Sequence, residues 1–241
     1  MEKLSRAWPA EFISTFALVF IGAGSVIMAV NNNLAGAQGA GQLLGIALAH
    51  GLVLAIMISV TAHISGGHVN PAVTIGLWVT GKVETTRAVC YIVAQLAGAV
   101  LGALALRLIV PQVLWKRADL GTPQVAHAFG MSNGGAVALE AILTFFLVFA
   151  VFGTAVDDRG AFSKLAGFPI GLVLTFDILA GGPLTGAAMN PARAFGPALL
   201  SGTWTDWWVY WVGPIAGGVI AALVYWMLFL RPRESGPVED F

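Results

Sequence analysis

The sequence predicts an all-α membrane protein: six transmembrane helices plus two re-entrant half-helices, arranged as two inverted repeats. Three observations carry this. Six stretches are long and apolar enough to cross about 30 Å of hydrocarbon, which takes about 20 residues each. Two further apolar stretches are only half that length, and each opens on Asn-Pro-Ala. The two halves of the chain also match each other, with Asn70 and Asn190 set 120 positions apart.

The spans are read at about 8 to 30, 41 to 63, 85 to 109, 135 to 155, 166 to 183 and 206 to 230. The short stretches are Asn70 to Val79 and Asn190 to Leu200; at 1.5 Å per residue each covers half a membrane. The first span, from near Trp8 through Ala29, is too long for a signal-peptide core and is expected to stay in the protein. An even number of spans puts both termini on one side. Lys3, Arg6, Lys82, Arg87, Arg159, Lys164, Arg231 and Arg233 fall on that side, against Arg107, Lys116 and Arg117 opposite. The positive-inside bias makes both termini cytoplasmic.

Composition agrees. Of 241 residues 58% are hydrophobic and 10% charged, a balance suited to a bilayer. Twelve basic and twelve acidic residues cancel, so nucleic acid is not an expected partner. Cys90 is the only cysteine, so no intrachain disulfide can form. No cofactor or metal is expected. The tail from Arg231 to Phe241 is polar and is expected to be disordered.

The repeat can be checked by eye. Glu11-Phe-Ile-Ser-Thr15 matches Glu140-Ala-Ile-Leu-Thr144, Gly51-Leu-Val-Leu matches Gly171-Leu-Val-Leu, and Tyr91 with Gly98 matches Tyr210 with Gly217. Three spans per half is an odd number, so the second half enters the membrane upside down. The chain reads as a single domain, 1–241, with repeats of about 1–118 and 119–241.

Asn before Pro at the start of an apolar run is a helix-start signal: Asn caps free N–H groups and Pro tolerates the first helical position. Asn70 and Asn190 should be caps whose amide NH₂ groups remain as spare donors, meeting near the midplane. The preceding segments are short and Gly-rich. Non-helical backbone at membrane depth survives only where it lines a wet cavity, so the carbonyls of Gly66, Gly67 and His68 and of Gly186, Ala187 and Ala188 should line a passage as acceptors. Each half-helix points its positive end at the centre, where it repels cations.

The paired motifs, His63-Ile-Ser-Gly-Gly-His68-Val-Asn70-Pro71-Ala72-Val-Thr74 and Gly186-Ala-Ala-Met-Asn190-Pro191-Ala192-Arg193-Ala-Phe-Gly-Pro197, resemble those of the aquaporin family over all six spans and both half-helices. The resemblance implies a passive water channel and not an enzyme, assembled as a homotetramer with one pore per subunit. It implies a selectivity filter at His50, Ile178, Ala187 and Arg193. That set is similar to filters of tonoplast intrinsic proteins, which implies ammonia and hydrogen peroxide as second substrates. Glycerol-conducting relatives place Asp after the second-motif Arg and a basic residue four positions on, where this chain has Ala194 and Ala198. A glycerol or small-solute facilitator is the alternative, and a secondary transporter is a more distant one.

Arg193, three residues after Asn190, should face the lumen as an unpaired guanidinium. His63 and His68 either line the cytoplasmic mouth or brace the loop. Glu11 and Glu140 are read as structural acids taking loop N–H groups, against a proton relay as the other reading. Asp177 is expected to brace the second loop in the same way, and His127 is a candidate fifth filter residue reaching over Arg193.

Overall fold

A computed structural model of the protein describes residues 2–32 and 40–231. The polar tail lies outside the described residues beyond Arg231. Helix α1 runs Glu2–Asn32, α2 Ala40–Ser65, the half-helix α3 Pro71–Val79 and α4 Thr85–Ile109. A short α5, Gln112–Arg117, starts the connection between the halves. The second half repeats the order as α6 Asn133–Val151, α7 Gly167–Thr185, the half-helix α8 Pro191–Ser201 and α9 Val209–Tyr225. Both α6 and α9 end in a wider π-type turn, at Phe152–Val156 and Trp226–Leu230. Among the described residues six helices are long and apolar enough to span a bilayer. The last begins at Val209 rather than near 206, because Asp206 takes a left-handed backbone (φ 51) that no helix continues through.

The half-helices begin where the sequence places them. Asn70 Oδ1 accepts from the Ala72 N–H at 2.8 Å, and Asn190 Oδ1 accepts from those of Ala192 and Arg193 at 3.0 and 3.2 Å. Pro71 and Pro191 sit at the first helical position, where a missing N–H costs nothing.

Glycine sets how closely the spans approach. Within each half the first and third spans cross at matched positions: Gly98 of α4 lies on the Phe12 carbonyl of α1, and Gly217 of α9 on the Ala141 carbonyl of α6. A side chain at either would drive into backbone. Across the halves, Gly51 of α2 and Gly171 of α7 each face the other's carbonyl oxygen. Residues equivalent by repeat that touch each other must lie beside the pseudo-two-fold axis, so this contact marks it.

Polarity is arranged inside out. Ile56, Val60, Val93 and Ile220 of the spans are more than half exposed, whereas Glu11, Thr15, Gln95, Glu140, Thr144 and Thr185 are wholly buried. Such a surface is stable only against lipid.

Gly98→Ala should lower the thermal unfolding midpoint in detergent through about 1–3 kcal/mol of overpacking. Gly24→Ala, whose new methyl would meet the flexible end of Leu106 at 3.3 Å, should leave the midpoint near that of the parent.

Candidate functional site

The backbone leaves helical geometry twice at the centre of the bundle, between α2 and α3 and between α7 and α8. Gly66, Gly67 and Val69 take φ of 94, 63 and 56, and Gly186, Ala187 and Met189 take 83, 44 and 51. The non-glycine members of such runs cost about 1–2 kcal/mol each, and their N–H groups have no helical acceptor. Buried carboxylates supply one. Glu11 Oε1 accepts from the Ser65 hydroxyl at 2.6 Å and the His68 N–H at 2.9 Å, and Oε2 from the Val69 N–H at 2.7 Å and Gln95 Nε2 at 2.8 Å. Glu140 repeats this with the Thr185 hydroxyl at 2.7 Å and the Ala188 and Met189 N–H groups at 3.0 and 2.8 Å. Tyr91 and Tyr210 each donate a hydroxyl, at 2.8 Å, to the carbonyl of Ser65 and Thr185.

With their N–H groups held outward, the loops turn their carbonyls the other way. The carbonyls of Gly66, Gly67, His68, Gly186, Ala187 and Ala188 accept no hydrogen bond from a protein donor among the described residues. A narrow void runs past Gly67, His68 and Ala188, lined also by the polar Asn70, Asn190 and Arg193 and the apolar Leu54, Ile58, Leu147, Ile170 and Leu174; Gly66 lines the space at one end of it and Gly186 that at the other.

At the middle the two caps interlock. Asn70 Nδ2 donates to the Met189 carbonyl at 2.8 Å, and Asn190 Nδ2 donates to the Val69 carbonyl at 3.0 Å. The expectation of wholly spare amides is corrected: one N–H of each is spent tying the halves together, because the inverted loops bring those carbonyls within reach. One N–H of each is left for the void.

The expected unpaired guanidinium is also corrected. Arg193 Nη1 donates to the Gly121 carbonyl at 2.9 Å, and Nη2 lies 3.3 Å from His50 Nε2. His50 Nδ1 lies 2.9 Å from the Ile46 carbonyl, which can only accept, so the proton is on Nδ1 and Nε2 receives from Arg193. The imidazole fits because position 22 is glycine; a methyl there would stand 2.5 Å from Nε2. No carboxylate pairs with Arg193 among the described residues.

The other expected residues separate. Ile178 lies on the wall of an outer vestibule with Gly121, Thr122, Gln124, Gly186 and Arg193. Ala187, 2% exposed, turns its methyl toward Gly181 of α7. His68 lines the void and its inner mouth, with Nδ1 3.1 Å from the Thr74 hydroxyl and its ring edge-on to Tyr91, while His63 is exposed on the last turn of α2. Asp177 does not brace the second loop: it is 1% exposed and its Oδ2 has no partner among the described residues, since Glu140 already takes the loop's N–H groups. His127 does not reach over Arg193. Its Nδ1 bonds the Met131 carbonyl at 2.8 Å and its Nε2 the Asp206 carboxylate at 2.6 Å. The residues that do stand over Arg193 are Gly121, through its carbonyl, and Gln124, on the vestibule wall. Neither belongs to a repeated motif, so no sequence signal marked them.

Two measurements probe this geometry. Glu140→Gln keeps one acceptor oxygen but turns an NH₂ toward a buried backbone N–H; the midpoint in detergent should fall through a loss of about 1–3 kcal/mol. The hydrogen bond to Asp206 raises the His127 pKa above the ordinary histidine value, with the Met131 carbonyl acting the same way. A raised folded-state pKa means that the contact stabilises fully below the unfolded value of about 6.5 and fades as pH rises through the folded one. In a histidine NMR titration His127 should titrate above the free value, and Asp206→Asn should bring it down.

The model of the major intrinsic protein family matches residues 1–225. The chain is 48% identical to aquaporin TIP4-4 of Zea mays over 237 residues, covering 97% of this chain and 90% of that protein. It is 41% identical to aquaporin TIP2-1 of Arabidopsis thaliana, covering 98% and 92%. The X-ray structure of the aquaglyceroporin from Plasmodium falciparum superposes with a TM-score of 0.80 at 27% identity, covering 97% of this chain and all of that one. Interlocked Asn-Pro-Ala half-helices on inverted repeats, and these likenesses along nearly the whole chain, make it a member of the major intrinsic protein family, the aquaporins.

Proposed function

We propose that this chain is a passive channel for water, and with it for ammonia and hydrogen peroxide, that excludes protons and ions. The observation that carries this reading is the pair of Asn70 and Asn190 amides, each with one N–H committed to the opposite loop and one left for the void. A water that accepts from both has its lone pairs occupied and its own O–H groups aimed along the passage toward the carbonyls, so it cannot relay a proton through the centre. The N-termini of α3 and α8 add positive ends at the same place.

At the outer end, Arg193 adds a cationic donor beside a neutral His50. A solute passing there meets donors on one side and apolar Ile178 at the vestibule wall. Ammonia, a strong acceptor of water's size, suits that surface better than ammonium, and hydrogen peroxide suits it as water does. Against glycerol stands the sequence: the positions where glycerol-conducting relatives carry Asp and a basic residue are Ala194 and Ala198 here, both packed away from the void. Ala187, packed with its methyl inward, completes the filter through its backbone carbonyl in this reading.

The remaining parts follow from the same placement. Lys82, Arg87, Arg159 and Lys164 share the membrane side of the N-terminus, which supports cytoplasmic termini. The outward apolar faces of the spans suit lipid and sister subunits in a homotetramer, and 1–241 acts as a single channel domain.

Purified protein in liposomes should shrink much faster than empty liposomes under an impermeant osmolyte in stopped-flow light scattering. Internal pH should rise quickly on ammonia addition, and no conductance should appear under a proton gradient. Fast water without ammonia entry would overturn the filter reading alone. No gain in water flux by folded protein would overturn the channel.

A further inference from the structure

Arg193 is held by a carbonyl whose own position needs explaining. Gly121 lies at the end of three successive residues in the left-handed region, Asp119 (φ 45), Leu120 (φ 55) and Gly121 (φ 73). Only the last is glycine, so the run persists because its surroundings impose it. From below, Leu120 is wholly buried and Gly121 rests on α1, where a methyl would stand 2.7 Å from the Ala23 carbonyl oxygen. From above, both carboxylate oxygens of Asp119 are engaged. Oδ2 accepts from Gln124 Nε2 at 2.7 Å, and Oδ1 from the Thr203 hydroxyl at 3.3 Å.

Those two donors come from different places. Gln124 belongs to the same connection, so its bond closes the turn on itself. Thr203 follows the C-terminal end of α8, the half-helix whose first turn carries Arg193. The Thr122 hydroxyl adds a second tie to the same end, 3.1 Å from that of Ser201. The circuit is closed: α8 presents Arg193 at one end, and at its other end holds the turn whose carbonyl receives the guanidinium. The gap between Arg193 and the facing wall is therefore set by the connection between the halves as well as by the half-helix.

We propose that Asp119 is a specificity-determining positioning residue, which holds the Gly121 carbonyl and through it the Arg193 guanidinium. This rests on the channel reading above. With Asp119 in place the guanidinium has one position. Without it the left-handed run relaxes, the carbonyl withdraws, and the guanidinium turns toward solvent in the outer vestibule. The outer end then admits neutral solutes larger than water.

The test compares urea and water permeability in liposomes for the parent, Asp119→Ala, Asp119→Asn and Arg193→Ala, and for Asp119→Ala combined with Arg193→Ala. Folding is checked by gel filtration and circular dichroism. Asp119→Ala should raise the urea-to-water ratio by about fivefold, the weight of one hydrogen bond of ordinary strength. Asp119→Asn, which keeps one acceptor oxygen, should raise it less. In the Arg193→Ala background Asp119→Ala should change nothing further, an outcome that a merely structural role would not produce. An unchanged ratio in folded, water-conducting Asp119→Ala overturns the proposal, as does an equal rise with Arg193 already removed. Should Asp119→Ala not fold, Gln124→Leu and Thr203→Val each remove one donor: a raised ratio supports the circuit and an unchanged one overturns it. A parent without water flux would sink the channel reading, and this inference with it.

Discussion

A backbone N–H or C=O left bare in hydrocarbon costs several kcal/mol, and this chain abandons the helix twice at membrane depth. The rest of the structure follows from how that cost is met. One buried carboxylate per repeat collects the donors of each loop, Glu11 for Ser65 to Val69 and Glu140 for Thr185 to Met189. Gathering the N–H groups on the outer side leaves the carbonyls facing inward. The acceptor row along the void and the carboxylates behind it are thus two sides of a single arrangement. The glycines at the helix crossings serve it too, since α1 and α6 must lie close to the loops for a glutamate to reach.

Duplication explains the shape of the site, and its failure explains the polarity of the site. Position 73 is the repeat counterpart of 193, and 170 that of 50. Each mouth takes one residue from each half: Val73 and Ile170 at the inner mouth, and His50 and Arg193 near the outer end. The two mouths share a backbone and differ in side chains, so at these positions one carries two aliphatic groups and the other an imidazole and a guanidinium. A second asymmetry lies behind the braces. Glu11 takes a fourth donor from Gln95, whereas Pro214 occupies the matching place in α9, and Glu140 makes do with three. The carboxylate behind the loop that leads to Arg193 thus has one donor fewer, and the ties of the Asp119 turn go instead to the far end of α8.

The parts legible in the sequence were those written twice. The half-helices, their caps, the glutamates and the helix-crossing glycines could each be checked against a second copy, and the physics of capping and hydrocarbon burial gave each a role. What escaped was written once. Gly121 and Gln124 lie in the connection between the halves, which has no counterpart, and their relation to Arg193 exists only after folding. His127 drew attention as a loop histidine, yet the left-handed turn of Asp206 brings a carboxylate under it and takes up the ring. Asp177 looked like a brace from its place beside Ile178, but a third carboxylate has no loop donor left to claim. The cap amides were misjudged for a related reason: that the Met189 and Val69 carbonyls would face them depends on the distance between the inverted halves, which no single repeat encodes.

The partners of Arg193 among the described residues are all neutral, and that choice has a consequence. A carboxylate would hold a guanidinium more firmly, but it would also cancel its charge. A carbonyl and an imidazole nitrogen fix the same geometry and leave the charge in place. This works only while His50 presents a lone pair, which in turn requires the Ile46 carbonyl to hold the proton on Nδ1. A single backbone carbonyl one turn back along α2 therefore decides whether the facing group receives a hydrogen bond from Arg193 or repels it. The guanidinium is fixed in position by hydrogen bonds that leave its charge uncompensated.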